Sequence, residues 1–245
     1  MKRIFIIQNT PLNEPLPLSV YLTSLLRNFK KTNDLELNLI IGKSKTIPKE
    51  IQNLFNKIYQ VDTSTYSIKD NLYFSFKVFN ILKKEDRERK INVVHCFYPN
   101  SSLLGAVIFK KLIKKDLKII YDVRSPWIEM SIERGFINKR IAAFYEKILY
   151  FEERYLCKHV NHFIFITEGL AEYYRQKVSI TDKQKITISP SGVDTLLFRR
   201  VKTDIRERYG IKKDEILIGS VGGIAKIRRL EKFLYIFKDV VAKNN

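Results

Sequence analysis

The sequence lacks the long apolar runs of membrane-spanning chains. The first apolar run, Ile4 to Ile7, ends at the polar Gln8 and is too short for the core of a signal peptide. No other stretch approaches the ~20 apolar residues that cross a bilayer. We therefore expect a cytoplasmic protein, peripheral on the inner face of the membrane if it contacts a membrane at all.

Cysteine is also rare, and the spacing of the two cysteines excludes both a zinc-binding domain and a small domain stabilised by disulfides. The only two cysteines, Cys96 and Cys157, lie far apart in apolar segments and fit neither a zinc site nor a disulfide framework. We predict that both are reduced core residues. The sequence contains no cluster of metal-ligating side chains, and we expect neither a metal ion nor a cofactor.

Acidic residues are few compared with basic ones, which gives a net charge of +19. Such a charge favours anionic partners: nucleic acid, an acidic lipid surface or a phosphorylated substrate. The basic residues form small scattered groups, such as Lys110 and Lys111, and match no nucleic-acid-binding motif. We therefore expect no nucleic acid partner, and an anionic membrane surface remains open beside an ordinary lysine-rich, solvated surface.

Short apolar segments alternate with longer segments of helical period. Predicted strands are Arg3–Gln8, Leu35–Ile41, Asn92–Cys96, Leu117–Tyr121, Phe163–Ile166 and Lys185–Ile188, and predicted helices are Leu18–Phe29, Ile68–Lys84, Ser101–Lys114, Lys139–Lys158 and Glu168–Lys177. This alternation is typical of right-handed crossovers between parallel strands. It predicts an α/β fold, a Rossmann-like parallel sheet with helices on both faces, over residues 1–195.

The pattern changes after Ser189, and residues 196–245 predict a linker and the start of a second α/β domain. A short basic helix is expected near Thr203–Tyr209, followed by an apolar strand at Ile216–Val221. Too little chain follows Glu215 for an independent domain of ~100 residues. We therefore expect this second domain to be incomplete.

Glycine is scarce in the chain, yet three glycines cluster after the Ile216–Val221 segment. Gly219, Gly222 and Gly223 precede a predicted helix that opens with Arg228 and Arg229. Backbone N–H groups in such a turn, with the helix N-terminus and arginines, can bind phosphate. Tight packing of a strand against a helix would explain the same glycines, and both interpretations remain open.

Four segments follow one another along the chain: YDVRSPW from Tyr121, FITEGL from Phe165, ISPSGVD from Ile188 and IGSVGGIAKIRRLEKFL from Ile218. Their order resembles that in the retaining glycosyltransferases of family 4. The resemblance covers essentially the whole chain. It implies the two-domain GT-B fold and transfer of a sugar from a nucleotide diphosphate sugar to a glycan or lipid-linked acceptor, as in polysaccharide biosynthesis, without an essential metal.

Carried over residue by residue, the resemblance assigns donor-side roles to the second domain. The turn before the interdomain hinge matches Gly192 and Asp194, where serine replaces the usual preceding asparagine. Gly222, Gly223 and Arg228 fall on the donor phosphate-binding loop, although Gly223 stands where the family usually has an arginine. The family's paired donor-site glutamates have no counterpart, so we expect a fragment of the complete enzyme.

On the acceptor side, the resemblance places an acidic or histidine residue where Asp122 follows a predicted strand. At the carboxyl end of a parallel strand, Asp122 could act as a catalytic group that accepts a proton from an acceptor hydroxyl. Arg124 and Trp127 follow on the same acceptor-side loop, and His95 ends another strand. The alternatives are a loop-bracing aspartate paired with Arg124, and a histidine satisfied at the end of its strand.

The Lys139–Lys158 segment has apolar residues at steps of three or four, surrounded by lysines and arginines. This pattern is typical of a helix that packs on the sheet and also of one that docks on anionic lipid. Two further functions therefore stay open beside the glycosyltransferase: a non-catalytic acceptor- or membrane-binding module and, from charge alone, a nucleic-acid-binding protein.

Overall fold

A computed structural model describes residues 1–12, 34–63, 68–133, 142–193, 195, 199–219 and 229–244. The chain divides into two compact units, Met1–Ser191 and Gly192–Asn245. The predicted helix Leu18–Phe29 falls outside the described residues. The first unit contains the strands β1 Lys2–Gln8, β2 Leu35–Gly42, β3 Lys57–Val61, β4 Val93–Phe97, β5 Lys118–Val123, β6 His162–Phe165 and β7 Lys185–Ile188, with the helices α1 Lys49–Gln52, α2 Ile68–Glu88, α3 Asn100–Leu112, α4 Trp127–Glu133, α5 Ala142–Cys157 and α6 Glu168–Lys177.

The seven strands form one sheet in the order β3-β2-β1-β4-β5-β6-β7, and every neighbouring pair is parallel. This confirms the Rossmann-like fold class. The strand order reverses between β1 and β4, which is the switch point where such sheets form a crevice at their carboxyl ends. The sequence did not reveal β3, because Lys57 and Gln60 interrupt its apolar pattern.

The main core lies between the sheet and helices α2, α3, α5 and α6. It includes Phe5, Cys96, Tyr121, Cys157 and Phe163, all with 1% of their surface or less exposed. Both cysteines are free and buried, as predicted. A smaller cluster on the opposite face of the sheet contains Ile6, Leu39 and Phe97. The protein therefore buries apolar side chains on both faces of the sheet.

An ion cluster lies at the amino-terminal end of β1. Buried Arg3 donates to Glu36 over 2.7 Å and also pairs with Glu85, which accepts a hydrogen bond from Lys57. Burial by itself would raise the pKa of Glu85, but hydrogen bonds from Tyr59, Lys57 and Arg3 outweigh it and lower that pKa. Because this cluster lies at the sheet end opposite the crevice, it braces the fold.

The carboxyl group of Glu153 lies within the main core. Glu153 on α5 is fully buried, and the hydroxyls of Tyr121 and Tyr174 donate to its Oε1 atom over 3.1 and 3.2 Å. Burial raises the pKa of Glu153 to about 8, because the charged form loses its hydration. The core therefore holds a carboxyl group that is largely protonated at neutral pH.

The apolar stripe of the Lys139–Lys158 segment is exposed in α5. The exposed fractions are 66% for Phe144, 47% for Ile148, 76% for Phe151 and 44% for Tyr155. The opposite side of α5 supplies Leu156 and Cys157 to the core. The helix thus has two apolar faces, and packing on the sheet accounts for only one of them. No described helix is long and apolar enough to span a membrane.

The second unit contains α7 Ile205–Arg208 and α8 Leu230–Asn244. The predicted strand at Ile216–Val221 is wrong over Ile216–Gly219, which form no strand. A strand needs a neighbour for its backbone hydrogen bonds, and the described part of this unit offers none. Residues 199–219 and 229–243 contain no buried side chain, and Ile216 is 85% exposed. This part of the unit therefore has no core of its own.

Candidate functional site

Three of the predicted site residues meet at the carboxyl ends of β4 and β5. Parallel pairing sets Phe97 of β4 opposite Asp122 of β5, so His95 and Asp122 project from the same face of the sheet. Arg124 follows two residues after Asp122 and folds back over it. The tertiary structure therefore joins His95, Asp122 and Arg124, although His95 is far from the other two in sequence.

Asp122 is fully buried and held by two cationic or potentially cationic groups. Arg124 Nη2 donates to Asp122 Oδ2 over 2.9 Å, and Arg124 Nε forms an ion pair with Oδ1 at 2.6 Å. His95 Nε2 lies 3.3 Å from the same Oδ2 atom. Because none of its surface reaches solvent, the Asp122 carboxylate orients Arg124 and His95.

His95 is also nearly enclosed. Its ring stacks on Phe97 with 4.7 Å between ring centroids and an angle of 11° between the ring planes. This stack and the contact with Asp122 fix the orientation of the imidazole. A histidine with an aspartate partner can act as a general base, but here the side chain is only 11% exposed.

A pocket opens beside Arg124, between the loop after β5 and the start of α6; it is here called the polar pocket because Arg124 and Glu129 line it, although most of the surface that it exposes is apolar. Its volume is about 750 Å³, open to solvent, and its lining includes Arg124, Ser125, Pro126, Glu129, Ile166, Thr167, Gly169, Leu170 and Tyr173. Thr167 caps α6 by accepting a hydrogen bond from Leu170 N at 3.1 Å. Arg124 is thus the predicted site residue that reaches this pocket.

Glu129 in this pocket was not predicted from the sequence. The hydroxyls of Tyr150 and Tyr173 both donate to its Oε1 atom, whereas Oε2 is buried and has no hydrogen-bond partner among the described residues. Lys177 Nζ lies 4.9 Å above the ring of Tyr150 and 5.6 Å from that of Tyr173. No pattern along the sequence indicates this cluster, because Glu129, Tyr150 and Tyr173 belong to three separate helices.

Trp127 does not share the pocket of Arg124. It lines a second cavity of about 490 Å³, here called the apolar groove, between α2, α3, α4 and α5. Ile68 and Leu72 of α2, Leu104 of α3, Ile128 of α4 and Leu149 of α5 also line it. The two residues predicted on one acceptor-side loop therefore face different cavities.

Asn9, at the start of the first loop, is committed to internal hydrogen bonds. Its side-chain amide donates to Asn71 Oδ1 over 2.6 Å and to Ser101 Oγ over 3.0 Å. Thr63 Oγ1 donates to Asn9 Oδ1 over 3.0 Å, and Asn9 is only 1% exposed. This network joins β1 to α2 and α3 at the switch point and leaves the asparagine little capacity to bind a ligand.

Most predicted donor-side residues lie outside the described part of the chain. These are Asp194, Gly222, Gly223 and Arg228. Gly192 is described, begins the second unit and is exposed, and a Cβ atom added there would meet no atom within 4 Å. No group of three potential metal ligands occurs among the residues that the structure describes.

The sequence pattern of Glycosyltransferase Family 4 matches residues 18–196 of the chain, which is well over half of it. The chain belongs to glycosyltransferase family 4. The match spans all seven strands except β1 and includes His95, Asp122, Arg124 and Trp127. No curated protein sequence matches the chain significantly.

The Rossmann-like fold is shared with a solved structure at a TM-score above 0.5. Sucrose-phosphate synthase from Thermosynechococcus elongatus superimposes with a TM-score of 0.62 at 13% identity, over 88% of this chain and 54% of that one. A glycosyltransferase from Rickettsia africae gives a TM-score of 0.48 at 12% identity, over 87% of this chain and 51% of that one. The chain thus spans about half the length of the structures that it matches.

Proposed function

We propose that this family 4 chain is the acceptor-side part of a retaining glycosyltransferase. The complete enzyme would transfer a sugar from a nucleotide diphosphate sugar to a glycan or lipid-linked acceptor. The observation that carries this proposal is the polar pocket at the carboxyl ends of β5 and β6, where buried Asp122 orients Arg124. Open parallel sheets bind their ligands at this edge.

Arg124 and Glu129 supply opposite hydrogen-bonding capacity to the polar pocket. The guanidinium of Arg124 would donate to acceptor oxygens or to a phosphate, and the Glu129 Oε2 atom, which is buried beside the pocket, would accept from a hydroxyl group that displaces its covering. A sugar presents both kinds of group on one ring, which fits this pair. We infer that Asp122 acts as the acidic group of the site by positioning Arg124 and His95.

The donor would be bound mainly by the second unit. Gly222 and Gly223 would present backbone N–H groups to the diphosphate, and Arg228 would neutralise its charge. Gly192 and Asp194 would form the hinge that brings donor and acceptor together. In this proposal cationic side chains and backbone N–H dipoles neutralise the charge of the diphosphate, and no metal ion or cofactor takes part.

The proposal includes peripheral contact with the anionic inner face of a membrane. Every exposed position of α5 is apolar or cationic, including Phe144, Lys147, Phe151 and Arg154. Exposed apolar side chains insert at the headgroup boundary, while cations attract anionic lipids. This arrangement suits an enzyme whose acceptor or product resides in the cytoplasmic leaflet.

A second candidate is a non-catalytic module that binds an acceptor or a membrane. The absence of buried side chains in residues 199–219 and 229–243 favours it, because a donor site needs a rigid scaffold. The exposed face of α5 serves this alternative equally well. In both candidates the polar pocket would bind the acceptor. They differ in whether the chain takes part in sugar transfer.

The test is a transfer reaction reconstituted with the donor-binding half of a family 4 enzyme. We expect acceptor-dependent release of nucleoside diphosphate, and a product that keeps the anomeric configuration of the donor. The Arg124→Gln variant should have a kcat/KM about 100-fold lower. Losses of this size are typical when an enzyme loses a hydrogen-bond donor that stabilises charge in the transition state. Acceptor binding without any release of nucleoside diphosphate would select the non-catalytic module.

A further inference from the structure

The two carboxylate oxygens of Glu129, beside the polar pocket, differ in their surroundings. Oε1 accepts hydrogen bonds from the hydroxyls of Tyr150 and Tyr173, whereas Oε2 is buried and has no hydrogen-bond partner among the described residues. Burial and the hydrogen bond to Glu129 raise the pKa of Tyr173 to about 12, so its hydroxyl stays protonated and continues to donate. A buried carboxylate oxygen without a donor is costly, so a ligand or a water that donates to Oε2 stabilises it.

The cation that lines the same pocket already has a counter-ion. Arg124 pairs with Asp122, with Nε 2.6 Å from Oδ1 and Nη2 2.9 Å from Oδ2. Its Nη1 atom donates to the carbonyl oxygen of Ser189 over 3.3 Å. The buried carboxylate offsets the charge of Arg124, so an anionic ligand would meet a guanidinium that is already neutralised.

Lys177, the cation on the other side of the two tyrosines, is also engaged. Its ammonium lies over the rings of Tyr150 and Tyr173, 4.9 and 5.6 Å from their centroids, and pairs with Glu146 at 3.5 Å. Among the described residues, none forms an ion pair with Glu129. The charge of Glu129 is therefore the one beside this pocket that has no counter-ion in the described part of the chain.

The start of α6 adds negative charge to the same wall. Glu168 lies between Thr167 and Gly169, which line the pocket, and occupies the first turn of the helix. There its carboxylate offsets the positive end of the helix dipole, which would otherwise attract an anion. The surroundings of the pocket thus favour a cation, although the whole chain has a net charge of +19.

An ammonium group has both properties that this wall favours. Its N–H groups can donate to Oε2 of Glu129, and its positive charge is attracted to the carboxylate. It is also attracted to the face of an aromatic ring, and Tyr173 lines the pocket. A neutral hydroxyl group offers the hydrogen bond without the charge, so it gains less from the same site.

We propose that the polar pocket binds an acceptor that carries a protonated amine, such as an amino sugar with a free amino group, and that this ammonium donates to Glu129 Oε2. The inference rests on the proposed function and narrows its acceptor class to amine-bearing molecules. The ammonium displaces whatever covers Oε2, and a hydroxyl of the same sugar accepts from Arg124. Glu129 is then the residue that determines acceptor specificity.

The direct test is an NMR titration of the 245-residue chain with sugar probes. The probes are methyl glucoside and the derivatives in which one of its ring hydroxyls is replaced by an amino group. At about pH 6.5 we expect at least one amino probe to bind about tenfold or more tightly than methyl glucoside, because charge-assisted hydrogen bonds are the stronger ones. If no amino probe binds more tightly, water is sufficient to stabilise Oε2 and the proposal is wrong.

The preference for the amino probe should disappear as the pH rises from about 6.5 to about 9.5. Its amine has a pKa near that of an α-amino group, about 8, and loses its charge over this range. Comparison with methyl glucoside at each pH cancels any loosening of the fold when Glu153 ionises. A preference that stays constant over the range would contradict recognition of an ammonium.

Two matched variants show whether Glu129 is the recognition residue. Glu129→Gln keeps the shape of the side chain and removes its charge, so the ratio of amino-probe to methyl glucoside affinity should fall about tenfold. Glu172→Gln removes a charge at an exposed position of α6, where Glu172 pairs with Arg175, and should keep the ratio of the unmodified protein. Equal ratios in the two variants would reject Glu129 as the site.

Further outcomes separate this proposal from its alternatives. If methyl glucuronide bound more tightly than the amino probes, the pocket would select an anion through Arg124, and the proposal would be overturned. The titration needs no nucleotide sugar, so it is independent of transfer. Transfer to a neutral acceptor without any preference for an amine would reject this inference alone, while amine binding without transfer would reject only the catalytic function.

Discussion

Arg124 covers the carboxylate of Asp122, with Nε 2.6 Å from Oδ1 and Nη2 2.9 Å from Oδ2. The exposed side-chain fraction is 19% for Arg124 and 0% for Asp122. An acceptor that enters the polar pocket therefore meets the guanidinium before the carboxylate.

The two partners of this ion pair should differ in their effect on stability. Arg124→Gln leaves a carboxylate buried beside His95 without its ion-pair partner and should cost about 3 to 5 kcal/mol in the free energy of unfolding. Asp122→Asn leaves a guanidinium that can still reach solvent and should cost about 1 to 3 kcal/mol. Urea denaturation of both variants measures this difference.

The double variant Arg124→Gln with Asp122→Asn serves as the control for this pair. It should be more stable than Arg124→Gln alone, because no unpaired charge remains buried. If Asp122→Asn proves the more destabilising single change, the carboxylate is not the more deeply buried member of the pair.

Glu153 should make the stability depend on pH in a predictable direction. Its folded-state pKa of about 8 lies above the ordinary value of 4.5. Between these two values the folded state binds more protons than the unfolded state, so stability falls as pH rises. The contribution of Glu153 to the free energy of unfolding is complete below about pH 4.5. It falls by a few kcal/mol as the pH rises through about 8.

The Glu153→Gln variant should show a flatter stability profile between about pH 5 and about pH 9, measured by urea denaturation at each pH. Glu172→Gln, at an exposed position of α6, is the matched control and should retain the slope of the unmodified protein. An identical slope in Glu153→Gln would show that another group causes the pH dependence.

Gly105 is required for the close approach of α2 and α3. A Cβ atom at this position would lie 2.4 Å from the carbonyl oxygen of Ser75 and 2.8 Å from Val78 Cβ. Because backbone must move to relieve this clash, Gly105→Ala should cost about 1 to 3 kcal/mol. Gly169→Ala in the first turn of α6 meets no atom within 4 Å and should stabilise by about 0.4 to 1 kcal/mol. Thermal unfolding of the two variants should show shifts of opposite sign.

The exposed stripe of α5 should determine membrane affinity. We expect the protein to co-sediment with anionic vesicles, and Phe151→Glu to reduce the bound fraction about tenfold or more, because it removes apolar insertion and adds a repelled charge. Val201→Glu, at a 65% exposed apolar position in the second unit, is the control. If vesicle binding did not decline as the salt concentration rises, attraction between the cationic side chains and anionic lipid would not contribute to it.

The 245-residue chain by itself should bind nucleotide sugars weakly and transfer no sugar. The described part of the second unit buries no side chain, so it cannot hold a phosphate site with the accuracy that catalysis needs. Calorimetric titration with several nucleotide diphosphate sugars, together with a transfer assay, measures both properties. Micromolar binding with turnover above the enzyme-free background would contradict this prediction.

Much of the fold could be predicted from the sequence, because the signal is local there. Six predicted strands and four described helices agree with the structure to within a few residues at each end. Apolar runs such as Ile4–Ile7 in β1 lie in strands that are covered on both faces of a parallel sheet, and they leave a continuous pattern in the sequence. β3 carries no such pattern, because it lies at the sheet edge with Lys57 and Gln60 exposed.

The sequence by itself determined the family, the alternation of strands and helices, and the positions of His95, Asp122 and Arg124 at strand ends. Only the tertiary structure decided that Asp122 is buried behind Arg124, that Trp127 faces a different cavity, and that the stripe containing Phe151 is exposed. The physical reason is that periodicity along a chain shows which residues share a face. What covers that face depends on contacts between segments distant in sequence.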